Sequence, residues 1–514
     1  MALTASSLKS RSSGTQAPVR TLEVRPRAQQ PLDASQRRTL LIAAALVGLI
    51  KMIEFLLDRQ VLFDFDSGGF IMNGLGTGFF SFRSYTYGGL IRLVALPFHT
   101  LTPVVALQTA MGGLTAWLLA YALLRNLCVR PWIAIAAAVA FALDPVQILH
   151  EHYILSETAT LLAAAIFLVA ALEYLHQRRL FQLIELSFLA ALLVSLRLVY
   201  VPLVLVASIL VPLLAWFPTR TAPIRFRPLA LALLVSCTFT YIFQTGYQHL
   251  TGWMAEREPA YDYEAGSFLL AAVAPAVRPN EIRDPRLAQA FEAQRTSRYP
   301  LSPDYRDYLL WQPEGLIHRI ANALGGNAIA MNAAAAKLGR ETILHHPISF
   351  LMLGWYNYRE YWKGVPSLRK RLLREQTTPM VIADQVDRIF PSFSQYRLNY
   401  DNPNSLSRRY LLSAHNWYAF LLASPLILCL ALLTKPANPK GVIFLLVWAA
   451  LLEALTCLLT TYHTLRYLHP FSFTSLIGAA LLCQWLLSVL RKPAPLSTAL
   501  TDKIETYDQE VSAG

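Results

Sequence analysis

The chain has 514 residues, of which 55% are hydrophobic and 15% charged, with a formal charge of +13. Several apolar runs reach the roughly 20 residues that a bilayer-crossing helix needs, which excludes a string of soluble domains and predicts one helical membrane domain carrying loops. The Lys and Arg residues are spread through short segments rather than gathered into one patch, so they mark topology, not a nucleic-acid partner.

Residues 1–38 are rich in Ser, Pro, Gln and Arg, without apolar periodicity and without an apolar core leading to a small-residue cleavage site. They predict a disordered, uncleaved cytoplasmic tail. Beyond it the fold class is an all-α polytopic membrane protein of about ten transmembrane helices, near 39–57, 103–124, 131–149, 154–175, 181–198, 200–217, 228–246, 409–433, 440–460 and 468–490. A first external loop, 58–102, holds Asp64 and Asp66, a glycine-rich turn at 74–78, and a half-amphipathic run at 87–96 that ends at Pro97 and reads as lying on the membrane. Between the seventh and eighth spans, residues 247–408 predict a polar, mostly helical extracytoplasmic insertion. Within it a proline-led helix runs from near Pro313 through the alanines at 333–336 to His346, followed by an interfacial helix at 350–362. Residues 409–490 carry the last spans, and 491–514 form a second cytoplasmic tail.

Arg125 and Arg130, Arg178 and Arg179, Arg220 with Arg225 and Arg227, Lys435 and Lys440, and Arg491 with Lys492 fall in alternate loops. They share a side with the tail arginines Arg20, Arg25, Arg27, Arg37 and Arg38, so both termini are expected in the cytoplasm. The opposite side carries Asp66, Asp144, Glu151, Glu157, Arg197, His463 and Arg466 at span ends. All five cysteines lie in or beside predicted spans, which predicts neither a disulfide framework nor a metal–thiolate site.

Four stretches on that loaded side resemble motifs of the GT-C superfamily of membrane glycosyltransferases, in particular its protein O-mannosyltransferase and lipid A aminoarabinose transferase branch. Asp66-Ser67-Gly68-Gly69-Phe70 is similar to the acidic motif of the first external loop, with an aromatic four residues after the acid. Glu151-His152-Tyr153-Ile154-Leu155-Ser156-Glu157-Thr158 resembles the opening of the fourth helix, Leu196-Arg197-Leu198-Val199-Tyr200 the Arg-containing bend between paired helices, and Arg466-Tyr467-Leu468-His469-Pro470 the Arg-Tyr-x-x-Pro element of a late helix. The likeness covers mainly residues 39–246, the expected catalytic membrane module, and departs from the family where Ser67 follows Asp66 and Phe70 replaces Tyr. It implies an enzyme of a bacterial inner membrane that moves a sugar from a polyprenyl-phosphate donor to a glycan, lipid or protein acceptor outside the cytoplasm.

The chemistry of such a transfer calls for these residue types. A base must take a proton from an acceptor hydroxyl while phosphate leaves the anomeric carbon, and cations must stabilise the departing charge. Asp66 is the candidate base, with Asp64 its neighbour or substitute. Arg197 and Arg466 are the candidate phosphate clamp, and Glu157 is an acid that orients substrate or holds a divalent cation. Arg83, Tyr85, His152 and His463 complete the candidate substrate-binding set; no other cofactor is expected, and membrane lipids are the remaining partners. The plainer alternatives are that Asp66 is a turn residue, that Glu157 complements a helix dipole, and that both arginines reach for lipid headgroups. A rival class, a polyprenyl-phosphate or glycolipid transporter, would use ionisable groups near the bilayer midplane, where Glu453 is the clearest such residue.

Overall fold

The computed structural model describes residues 32–64, 66–76, 83–217, 226–364, 389–390 and 406–490. The elements among them are helical, and the strand-like pairing they contain is a bridge between Leu62 and Tyr153. The first ten helices are α1 (Ala34–Leu57), α2 (Ser67–Leu75), α3 (Tyr85–Ala95), α4 (Thr102–Tyr121), α5 (Pro131–Ala142), α6 (Pro145–His152), α7 (Glu157–Gln177), α8 (Leu180–Leu196), α9 (Val201–Trp216) and α10 (Phe226–Ala255). Helix α1 starts inside the predicted tail because Asp33 and Gln36 form a capping box, the Gln36 amide donating to Asp33 Oδ1 at 2.7 Å. Residues 1–31 and 491–514, Thr77 and Gly78 of the glycine-rich turn, and Arg220 and Arg225 lie outside the described residues.

Seven of the described helices are long and apolar enough to cross a membrane, or up to nine when two bent pairs are each counted as one span. The bent pairs, Pro131–Ala142 with Pro145–His152 and Arg409–Leu422 with Ser424–Leu433, turn by 45° and 47° where the sequence predicts continuous helices. In each a proline, Pro145 or Pro425, opens the second helix, since it donates no hydrogen bond and disfavours helical backbone in the residue before it. The predicted span at 181–198 is the shorter apolar helix α8. Along α1 the side chains of Leu41, Leu46, Leu49, Met52 and Leu56 are exposed, as are Leu231, Leu234, Tyr241 and Ile242 on α10. Apolar surface on this scale suits lipid, so the chain is a multi-pass membrane protein.

Helix α4 sits centrally against α1, α5 and α7; α7 continues the packing to α8 and α9, and α10 covers α8 and α9. A second hydrophobic core, with Leu270, Val273, Phe291, Leu309, Leu316, Ile320 and Leu338, belongs to the 247–408 insertion. The proline-led helix expected there is two helices, Leu316–Ala323 and Ala328–His345. Between them Gly325 and Gly326 take φ of +71° and +77°, the left-handed conformation that favours glycine. The interfacial helix is Pro347–Trp362, and it is fastened to Pro439–Leu459 by Asn357, whose Nδ2 donates to the Cys457 and Thr460 carbonyls at 2.6 and 3.2 Å.

The two ends of the bundle differ. At the Gln177 end of α7, Arg178 lies over the Trp216 ring at 5.1 Å, Lys440 donates to the Phe217 carbonyl at 3.1 Å, and Asn438 donates to the Asn126 carbonyl at 3.1 Å. These basic loops are among those expected on one side. The other end of α7, about 31 Å away for its 21 residues, starts at Glu157 and is joined to the first loop by the Leu62 amide donating to the His152 carbonyl and the Ile154 amide to the Leu62 carbonyl, each at 2.9 Å.

Helices α2 and α3 form a hairpin whose helices meet glycine to glycine. A Cβ on Gly74 would stand 2.6 Å from the Gly88 carbonyl oxygen, whereas Gly89 faces open space. Gly74→Leu is therefore expected to force the hairpin apart and cost about 1–3 kcal/mol of stability, while Gly89→Ala leaves the melting temperature of the purified protein in place. Equal melting of Gly74→Leu and wild type would contradict this crossing.

Candidate active site

Asp66 immediately precedes α2, but the turn that starts this helix is made by its neighbours. The Asp64 amide donates to Ser67 Oγ and the Ser67 amide to the Asp64 carbonyl, both at 2.9 Å. The Asp66 carboxylate makes no capping bond. It faces two guanidinium groups instead: Arg83 Nη2 donates to Oδ1 and Arg466 Nη1 to Oδ2. Arg466 also donates through Nε to Glu157 Oε1, and the same oxygen takes Arg197 Nη1 at 3.1 Å. The structure thus joins five of the residues singled out in the sequence into one chain, Arg83–Asp66–Arg466–Glu157–Arg197, in which three cations meet two anions.

Local backbone rules put each member there. Arg83 opens the turn into α3, where its carbonyl accepts from Asn73 Nδ2 at 3.2 Å; Ser84 Oγ and Thr86 Oγ1 then tie α3 to Ser195 at the end of α8, at 2.7 and 2.9 Å. Arg197 breaks out of α8 into extended backbone, with φ −158° and ψ 119°, and Pro202 opens the next helix. Its guanidinium lies over the Tyr467 ring at 5.3 Å. Arg466 sits in the short helix Leu465–Leu468, held between extended Thr464 and Pro470. Glu157 is the first residue of α7, where negative charge also complements the helix dipole.

Burial raises the cost of charge on Asp66, but Arg466 and Arg83 outweigh it and hold the carboxyl at about 2. Burial likewise opposes the Arg466 charge, and Glu157 and Asp66 reverse the balance and raise it. For Arg83 burial prevails and the guanidinium is lowered, with Asp66 only partly offsetting it and Arg466 repelling it. Glu157 is fully buried, and among the described residues its Oε2 has no hydrogen-bond partner. Within these five residues the guanidinium groups outnumber the carboxylates, and planar guanidinium forks suit anionic oxygens.

Other singled-out residues lie elsewhere. Asp64 is half-buried and serves the turn through its backbone. Tyr85 starts α3, in the electrostatic reach of Tyr247, Tyr263, Arg257 and Asp262. His152 is buried in a neighbouring cluster, its Nε2 on Glu54 Oε1 at 2.8 Å and its Nδ1 on the Gln60 carbonyl at 2.7 Å. In that cluster Lys51 meets Glu151 at 2.7 Å. Asp144 caps α6 and accepts from Ser472 Oγ at 2.8 Å. His463 meets Asn357 Oδ1 at 3.1 Å beside Tyr361, and burial pushes its imidazole down to about 4. Phe70 packs edge-on against Tyr87 at 5.1 Å, facing the core.

Sequence reasoning missed two acids near these groups. Glu54 pairs with Lys51 three residues earlier in an apolar span, a spacing that was open to notice. Asp262, which burial raises to about 6, reaches Arg83 electrostatically from the loop after α10, and its Tyr-Asp-Tyr setting gives no such sign. Among the described residues no group of three or more His, Cys, Asp or Glu is arranged to hold a metal ion, and Glu157 Oε1 is taken by two guanidinium groups. No protein-family model matches the sequence, and no curated protein matches it.

Because Arg466, alone among the described residues, bridges both acids, Arg466→Gln is expected to cost about 3–5 kcal/mol, the range for breaking a buried pair and leaving charge uncompensated. Arg197→Gln should cost less, since Glu157 keeps Arg466. Thermal unfolding of the purified protein checks the order; a milder loss in Arg466→Gln than in Arg197→Gln would contradict the bridge.

Proposed function

We propose that this chain is a membrane glycosyltransferase of the GT-C kind, taking a sugar from a polyprenyl-phosphate donor and attaching it to an acceptor on the extracytoplasmic face. The observation that carries the reading is the Arg83–Asp66–Arg466–Glu157–Arg197 chain, which sets a carboxylate among three guanidinium groups at the end of the bundle away from the basic loops. In this reading α8 is a tenth span, both termini are cytoplasmic, and the protein sits in a bacterial inner membrane, part of the cell envelope. The acceptor is a glycan, lipid or protein.

Asp66 accepts the proton of the acceptor hydroxyl, the acceptor oxygen bonds to the anomeric carbon, and the bond from that carbon to the phosphate oxygen breaks with its electron pair going to phosphate. A single displacement of this kind inverts the anomeric centre. Arg466, Arg83 and Arg197 take the charge that accumulates on the leaving phosphate, where the planar guanidinium fork matches its oxygens. Glu157 Oε1 fixes the directions of Arg466 and Arg197, so Glu157 is a positioning residue. The transporter alternative leans on Glu453, whose Oε1 is buried without a hydrogen-bond partner among the described residues, but it assigns no task to Asp66.

Asp66→Asn keeps the size of the side chain and removes the proton acceptor. Release of polyprenyl phosphate from a polyprenyl-phosphate sugar should fall by about 100-fold or more, while donor binding is retained. Asp64→Asn, assayed alongside, decides between the two acids: activity lost there and kept in Asp66→Asn moves the base to Asp64, and activity kept in both overturns the mechanism. A deletion strain should accumulate one polyprenyl-phosphate sugar in its membrane lipids.

A further inference from the structure

The proposed base is placed where it is least able to act. A carboxylate that accepts from two guanidinium groups has one lone pair of each oxygen engaged and its charge compensated, so it is a poor acceptor for a hydroxyl proton. The charged groups around Asp66 are Arg83 at the start of α3, Arg466 in Leu465–Leu468, Arg197 at the end of α8 and, across Arg466, Glu157 at the start of α7, with the Tyr467 phenol beside them and Asp262, in the loop after α10, reaching Arg83. A base in this setting needs a second event to release it.

We propose, resting on the glycosyltransferase reading, that donor phosphate is the release: it draws the guanidinium groups of Arg83 and Arg466 from Asp66, so that the base becomes competent only once the donor is seated. Each arginine holds Asp66 through one nitrogen, Nη2 of Arg83 and Nη1 of Arg466. A phosphate offers each a paired set of oxygens, the stronger geometry for a planar fork. Arg466 can change partners without losing its place, because its Nε stays on Glu157 Oε1. Burial and Arg466 both act against the Arg83 charge, and Asp66 only partly offsets them. Proton abstraction is thereby tied to donor occupancy.

The test is an infrared titration of the full-length protein in nanodiscs, following the protonated-carboxyl band absent from Asp66→Asn, with polyprenyl phosphate as the probe. In the empty protein the midpoint should lie near 2. Polyprenyl phosphate should move it upward by about 1–3 pH units, the worth of a neighbouring opposite charge. Polyprenol without phosphate should not move it, and Arg83→Gln should raise it with no lipid added. Retention of radiolabelled polyprenyl phosphate is measured on the same preparation. Lipid retained with an unmoved midpoint overturns the release of Asp66 and leaves the glycosyltransferase reading standing; lipid not retained overturns both; a shift caused by polyprenol overturns the role given to phosphate.

Discussion

The architecture of the loaded end depends on one interaction, the bridging of Asp66 and Glu157 by Arg466. Removing charge from water at a membrane surface is expensive unless each charge meets its opposite with good hydrogen-bond geometry. A single guanidinium does this for two carboxylates from distant parts of the chain. The first loop, the start of α7 and the segment before the last helix are held to one point by it, and Arg83 and Arg197 then close the chain through α3 and α8.

The backbone at this end is irregular for a related reason. Arg197, Thr464 and Asp144 are all extended residues at breaks between helices, with Pro202, Pro470 and Pro145 close behind them. A continuous helix would point such side chains around its cylinder at the depth of the bilayer. A break lets Arg197 turn to Glu157 and Asp144 to Ser472 where protein, not lipid, surrounds the backbone. The hairpin of α2 and α3 contributes by its thinness: Gly74 and Gly88 let the two helices approach closely, which brings Arg83 back over Asp66.

Two polar networks lie next to each other, and they differ in chemical sense. In the cluster of Lys51, Glu54, Glu151 and His152, cationic or proton-donating groups are interleaved with carboxylates, and His152 also ties down the first loop through the Gln60 carbonyl. Its two carboxylates face one lysine and one histidine, although Glu54 Oε2, 3.5 Å from Lys51 Nζ, also has no hydrogen-bond partner among the described residues. The Asp66 network keeps more guanidinium than carboxylate and leaves Glu157 Oε2 unmet among the described residues. Excess charge of one sign in a confined site attracts ions of the other sign, which is why the proposed anionic donor is placed there.

Much of this was open to reading in the chain itself. Hydropathy marks the helices, loop charge separates two sides, and acids and arginines at span ends identify the loaded one, because these properties depend on composition over short windows. The helix breaks at Pro145 and Pro425 were visible as prolines but not as bends, since whether a proline ends, kinks or merely opens a helix depends on what packs around it. Which of the end residues meet was beyond the sequence. Asp66, Glu157, Arg197 and Arg466 were singled out together with His152, His463 and Tyr85, yet only the first four and Arg83 form the ion-paired chain. Composition and periodicity set where each residue sits along the membrane normal, but the pairing of Asp66 with a partner 400 residues away is decided by how the helices pack side by side, and local sequence carries no record of that distance.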